Sequence, residues 1–254
     1  MTIASAVLTY PLFAGCVALA TYAQNLTGFA FALILLGLVS ALNLASVVDA
    51  ANAATLLTLV NAGIHFRLHR LTPQWRIMRP ALATSLIGVV LGVALLAWLS
   101  GNAVQALRGL LGVVIMACAV LLLLNGRPRA TLSGPGPFAL AGVVSGVMGG
   151  LFSSPGPPLV YHMYRQPLER WVVMQCLLLV FTVNAALRLV LVIVTGEMSL
   201  RSLALSACAV PAVVLVNRWH HRRPPSFSAD TVRRLVGGLL VLAGLALVGT
   251  AGVL

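Results

Sequence analysis

A chain of 254 residues that is 60% hydrophobic and 8% charged, with a mean hydropathy of +1.04, is not a soluble globular domain, since such domains run at about 45–50% apolar and about 25% charged. The net charge of +12 comes from arginine with no lysine, against Asp49, Glu169, Glu197 and Asp230. Those arginines fall mainly in short loops between apolar runs, the pattern of charge retained on the cytoplasmic side of a membrane and of contact with anionic lipid, so no nucleic-acid partner is expected.

The opening MTIASAVLTY has no positively charged n-region, so its apolar run is expected to stay in the mature fold. From Tyr10 to Leu44 the chain is apolar but broken by QNLTG at residues 24–28. Three spans of membrane-crossing length follow: Ala50 to Phe66, Pro80 to Leu99 and Ala103 to Leu124. A second interrupted segment, Phe138 to Tyr164, contains MGGLFSSPGPPLVYH. Three more spans complete the chain: Trp171 to Val194, Leu200 to Val216 and Leu235 to Val253. Cys16, Cys118, Cys176 and Cys208 all lie in apolar runs without C-x-x-C spacing and read as small buried residues.

The basic stretches His65 to Arg79 and Arg218 to Arg234 are placed in the cytoplasm. Counting crossings inward from each leaves Arg127-Pro-Arg129 and the Arg165 to Arg170 loop on that same side. The segment between them must therefore enter and leave by one face, as a re-entrant hairpin whose glycines and prolines are the break. Such backbone is tolerated at membrane depth only where protein or a cavity surrounds it.

Internal similarity extends the reading. LVNAGIHFR at 59–67 resembles TVNAALRLV at 182–190, LRGLLGVVIM at 107–116 resembles VRRLVGGLLV at 232–241, and Thr27-Gly28 corresponds to Ser154-Pro155, all offset by 123–127 residues. Equivalent loops carry charge in one half and none in the other. The expected fold is thus an all-α polytopic membrane protein of two inverted repeats, residues 1–126 and 127–254, each a broken helical hairpin plus three transmembrane helices, about eight hydrophobic segments in all. Discontinuous helices in inverted repeats are the architecture of secondary transporters, whose substrate sits near the midplane between the repeats.

Half-helix N-termini aimed at that centre suit an anion. Ser153 and Ser154 are placed as caps of the second returning half-helix, with Gly156 and the neighbouring prolines in its first turn; Asn25 or Thr27 is placed as the cap of a half-helix starting near Gly28. These residues form either an anion site or merely tight turns. Asn61 with His65, and Asn184 with Arg188, share helix faces by their spacing of four. Arg188 inside a span faces a cavity or snorkels outward; His65 is a ligand or an interfacial residue; the asparagines bind substrate or join helices. Asp49 reads as a solvated carboxylate at the outer end, and Tyr161, His162, Tyr164 and Trp171 as an interfacial belt. With no Walker A, metal-spaced cluster or G-x-S-x-G, neither cofactor nor metal is expected, and no enzyme activity.

GVVSGVMGGLFSSPGPPLVYHMY, residues 142–164, resembles the glycine-rich hairpin of the TauE/SafE sulfite exporter family, the TSUP permeases, written G-x-x-x-G-x-x-G-G-L-F-G-x-x-G-G-P; LRGLLG and VRRLVGG resemble its other recurrent feature. The likeness covers nearly the whole chain. It departs at Ser153-Ser154-Pro155-Gly156 and in the glycine-poor first hairpin. The resemblance implies transport of sulfite, sulfoacetate or other organosulfonates across the bacterial inner membrane, with coupling to a proton or other ion gradient. The expectation is a secondary carrier that holds such an anion between the hairpin tips and moves it by alternating access. Its alternatives are an intramembrane enzyme using Ser153 or Ser154 with His162, and a passive anion channel.

Overall fold

The computed structural model describes residues 3–68, 74–123, 129–223 and 229–250; parts of three basic loops in the sequence reading (69–73, 124–128 and 224–228) lie outside the described residues. The described residues form helices and no strand: α1 (Ile3–Thr27), α2 (Phe31–Ala41), α3 (Val47–Leu68), α4 (Trp75–Asn102), α5 (Val104–Leu123), α6 (Pro135–Phe152), α7 (Gly156–Tyr164), α8 (Arg170–Val194), α9 (Leu200–Arg222) and α10 (Ala229–Thr250). Six of these, α3, α4, α5, α6, α8 and α9, are long and apolar enough to cross a membrane, and α2 and residues 234–245 of α10 are shorter apolar helices. The chain is a polytopic membrane protein of about eight segments. Cys16, Cys118 and Cys176 are buried as expected, whereas Cys208 is exposed on α9.

The second hairpin folds back. The Phe138 ring near the start of α6 meets His162 near the end of α7 edge-on, centroids 4.6 Å apart. Beyond them the Arg129 N–H donates to the Arg165 carbonyl at 2.8 Å, and the Ser133 N–H to Gln166 Oε1 at 2.9 Å. The limbs are unequal, 18 residues in α6 against 9 in α7, so a helix of nearly spanning length is paired with one of two and a half turns. With the native cysteines replaced by alanine and cysteine placed at 129 and 165, an impermeant maleimide added to one side of sealed vesicles is expected to label both positions or neither. Labelling of one alone overturns the fold-back.

Contacts between helices fix their relative directions. Arg188 of α8 reaches Asn52 and Thr55 of α3, while Trp171 lies against His65, so α3 and α8 are antiparallel. Asp49 binds Ser199 and Asn61 binds Asn217, so α3 and α9 run together. Ser85 pairs with Asn184 and Val89 packs with Val192, so α4 and α8 run together. Gly244 meets Met116 and Gly237 meets Leu123, so α5 and α10 are antiparallel. Helices five places apart, α3 with α8, α4 with α9 and α5 with α10, therefore point in opposite directions. Among the described residues, all arginines except Arg108, Arg188 and Arg201 collect at the end of the bundle shared by the C-termini of α3 and α9 and the N-termini of α4, α8 and α10.

The tightest interface joins α4 to α6. A Cβ on Gly146 would lie 2.1 Å from the Ser85 carbonyl oxygen, on Gly92 2.3 Å from that of Val147, and on Gly88 2.4 Å from that of Val143. Glycine at every fourth position, 142, 146 and 150 on α6 facing 88 and 92 on α4, lets the two backbones touch, the small-residue packing by which helices associate in lipid. At the opposite end of the bundle Asp49 sits over two helix starts. The Ser46 hydroxyl accepts the Asp49 N–H and donates to the Asp49 carboxylate, and Ser199, itself the N-cap of α9, also donates to Asp49. A carboxylate between two positive dipole ends is held structurally there.

Candidate functional site

The break between α6 and α7 starts at Ser153, which takes the left-handed conformation (φ 56°) as the C-cap of α6 and donates its N–H to the Gly149 carbonyl at 2.9 Å. Pro155 disfavours helix at Ser154, and α7 restarts at Gly156. Neither serine caps α7, whose N-cap is Pro155 with no side-chain bond. This corrects the capping role expected of Ser153 and Ser154. The four backbone positions that would leave a free N–H at this helix start are Pro155, Gly156, Pro157 and Pro158. Three lack the hydrogen, so of these four only the Gly156 N–H is left for an anion.

At the first break Gly28 has φ 87° and donates to the Gln24 carbonyl, closing α1. Thr27 Oγ1 donates to the Ala23 carbonyl at 2.8 Å, and Asn25 Nδ2 donates to Asn217 Oδ1 at 2.8 Å. Here too the expected cap is absent: α2 starts after Ala30 with no side-chain bond, because both candidate side chains are committed elsewhere. Unlike α7, α2 has no proline in its first turn, so Ala30, Phe31, Ala32 and Leu33, all buried, keep their N–H groups. The breaks touch where Phe29 packs against Gly156; a Cβ on Gly156 would lie 3.2 Å from the Phe29 side chain.

Arg188 is the largest fully buried side chain of the bundle, 1% exposed, so it does not snorkel. Its Nε donates to the Gly150 carbonyl at 2.9 Å, and one terminal nitrogen donates to Asn52 Oδ1 at 3.0 Å and Thr55 Oγ1 at 2.6 Å. Thr55 in turn lies 2.9 Å from Ser153 Oγ. Gly150 is in the last turn of α6, where carbonyls lack helical partners, so Arg188 places its charge at the negative end of that helix. No carboxylate joins it; the chain's four acidic residues all lie at or just before helix starts. The other terminal nitrogen, Nη2, is buried without a partner, as are Asn184 Nδ2, Ser145 Oγ and Ser154 Oγ. Asn184, one turn before Arg188, accepts from Ser85 at 2.9 Å. Unpaired donors this deep in a membrane bundle are costly unless a ligand or water meets them in another state.

The other predicted residues line a separate cavity of about 240 Å³ near the arginine-rich end. Asn25, Gly28, Asn61 and His65 are in its wall, together with Gln24, Ile64, Tyr164, Met174, Leu177, Leu178, Asn217, His220 and His221. A chain of amides closes one side: Asn25 donates to Asn217, and Asn217 Nδ2 donates to Asn61 Oδ1 at 2.6 Å. Gln24 Oε1 and His220 Nδ1 are buried there without partners. Tyr164 thus faces the cavity, and Trp171 stands beside His65, rather than both serving only as belt.

The ten candidate residues therefore fall into two clusters rather than one centre, one lining the cavity and one buried, bridged by the Phe29–Gly156 contact. Ser153, Ser154, Asn184 and Arg188 gather around the α6–α7 break, and Asn25, Gly28, Asn61 and His65 around the cavity, with Thr27 turned into α1. Sequence reasoning missed Asn52, Thr55 and Ser85, although polar residues inside apolar spans were visible, and missed Gln24, Asn217, His220 and His221. His162 meets Phe138 and Gln166 about 9 Å of helical rise from Gly156 and bonds neither serine.

The sequence model of the family described as Sulfite exporter TauE/SafE matches residues 13–247. A probable sulfite/organosulfonate exporter TauE from Cupriavidus necator (strain ATCC 17699 / DSM 428 / KCTC 22496 / NCIMB 10442 / H16 / Stanier 337) is 37% identical over 173 residues, 68% of this chain and 68% of that protein. No solved structure matches. With its glycine-seamed hairpin, its polytopic helical bundle and a family match running almost end to end, the chain belongs to the TauE/SafE sulfite exporter family.

Proposed function

We propose that this membrane protein is a secondary carrier that exports a small sulfur-containing anion, sulfite or an organosulfonate, by alternating access. Residues 1–126 and 127–254 act as inverted repeats in this reading, which the opposed directions of helices five places apart support. The observation that carries it is an asymmetry between equivalent places. Asn61 and His65 of α3 correspond to Asn184 and Arg188 of α8; the first pair lines an accessible cavity, while the second is sealed beneath Gly150, Asn52 and Thr55. One site open to a cavity and its mate buried is the arrangement of one end state of a carrier. In a bacterial cytoplasmic membrane the arginine-rich end faces the cytoplasm, so this state is loaded from inside. The anion then passes to the α6–α7 break, where Arg188 Nη2, Asn184 Nδ2 and the two serine hydroxyls meet its oxygens as charge-assisted hydrogen bonds form.

Purified protein in liposomes preloaded with unlabelled sulfonate is expected to accumulate labelled sulfonate transiently by counterflow, with the label recovered chemically unchanged and Ser154→Ala weakened but still active. Conductance without counterflow would show a channel instead. Product formation abolished by Ser154→Ala would show an enzyme.

A further inference from the structure

The cavity lining combines two unlike sets of side chains, and this separates it from its sealed mate. One set is the amides of Gln24, Asn25, Asn61 and Asn217 with His65, His220, His221 and Tyr164. The other is Met174, Leu177 and Leu178, positions i, i+3 and i+4 of one face of α8, with Ile64 from α3. At the repeat offset of 123 residues these α8 positions correspond to Ala51, Ala54 and Thr55 of α3. Where Thr55 gives Arg188 a hydroxyl partner, the cavity has Leu178. No carboxylate lines the space. Gln24, whose carbonyl oxygen has no donor, presents its Nε2 donor instead by a half-turn of the amide, which leaves its shape unchanged.

Resting on the carrier reading, we propose that this cavity is a loading site that selects a sulfonate bearing a short, purely apolar arm, its oxygens on the amide and imidazole groups and its carbons on Ile64, Met174, Leu177 and Leu178. Bare sulfite leaves these apolar side chains wet. A sulfonate whose arm ends in a carboxylate or an amine lays a charged group on them, and they offer it no partner. At about 240 Å³ the space lies below the about 300–1,000 Å³ of pockets for drug-sized ligands, so the arm is a few carbons long.

Competition in the counterflow assay tests this with sulfite, methane-, ethane-, propane- and hexanesulfonate, and sulfoacetate. Each added methylene up to propanesulfonate is expected to strengthen competition about three- to fourfold, the equivalent of about 0.8 kcal/mol per buried CH2. Hexanesulfonate is expected to break the trend, and sulfoacetate to compete at least about tenfold more weakly than propanesulfonate. Leu178→Thr, which restores the residue of the sealed mate, is expected to flatten the increment below about twofold; the readout is the slope across the series, not its overall level. Met174→Gln supplies the same readout if Leu178→Thr does not fold. Sulfite or sulfoacetate competing as well as propanesulfonate, or an unchanged slope in a folded variant, overturns the proposal. Counterflow with none of these anions would instead overturn the carrier reading beneath it.

Discussion

Arg188→Leu is expected to lower sulfonate counterflow per folded molecule by about 100-fold or more. A charged donor that meets a buried anion contributes about 2–5 kcal/mol when its removal strands the partner, and about 2.7 kcal/mol already corresponds to a hundredfold. The same substitution removes the partner of the Gly150 carbonyl and donors to Asn52 and Thr55. Each stranded buried acceptor costs about 1–3 kcal/mol, so a fall in thermal stability is expected as well. The two effects separate in Arg188→Lys, which keeps the positive charge at the end of α6 but lacks the planar fork that reaches Gly150, Ala51, Asn52 and Thr55 at once. A purely structural arginine would leave Arg188→Leu with normal flux per folded molecule and only a lowered melting temperature. A transport role is read out as flux lost beyond the folded fraction, with partial recovery in the lysine variant.

Gly146→Leu is expected to give no folded protein. A Cβ there falls 2.1 Å from the Ser85 carbonyl oxygen, a backbone atom that moves only if α4 moves. Overpacking in cores costs about 1–3 kcal/mol where side chains can shift, and more where the obstacle is a helix backbone. Forcing the axes apart would also open the contacts at Gly92 and Gly150 above it, since all lie on one seam. Gly15→Ala is the control: nothing lies within 4 Å of its Cβ direction, and alanine in an exposed helical position is expected to stabilise by up to about 1 kcal/mol. Yield of monodisperse protein by gel filtration in detergent measures both. Folded Gly146→Leu protein at normal yield would show that the two helices are not in contact along this line.

The fold-back of α6 and α7 was legible in the sequence because topology is written in charge: Arg129 and Arg165 had to share a side, and their backbones prove to be hydrogen bonded. The breaks were legible because glycine and proline act on their own neighbours. Caps were not. Ser153, Asn25 and Thr27 each had a local partner to offer, but Thr55, Asn217 and the α1 backbone claimed them, and two of those three claims come from helices far along the chain. Pairing of Asn61 with His65 and of Asn184 with Arg188 followed from helical spacing alone. That they belong to two clusters did not, because it depends on Arg188 crossing to α3, a contact 133 to 136 residues away in sequence. The shortage of free amides at α7 was in plain view as three prolines; what the sequence reading counted as favourable first-turn residues were also three missing donors.

The glycine seam has a mechanical consequence. It welds α4, from the first half of the sequence, to α6, from the second, backbone against backbone along the glycines, with the Thr84 hydroxyl on the Ala139 carbonyl as a further tie. In the proposed carrier, residues 1–126 and 127–254 are therefore not separate levers. Whatever displacement uncovers Arg188 must carry α4, α6 and α7 as a single plate, with the slip plane running through contacts that side chains mediate, between Arg188 and α3 or along the asparagine ladder beside α9. In that carrier the boundary between the two halves and the slip plane lie in different places.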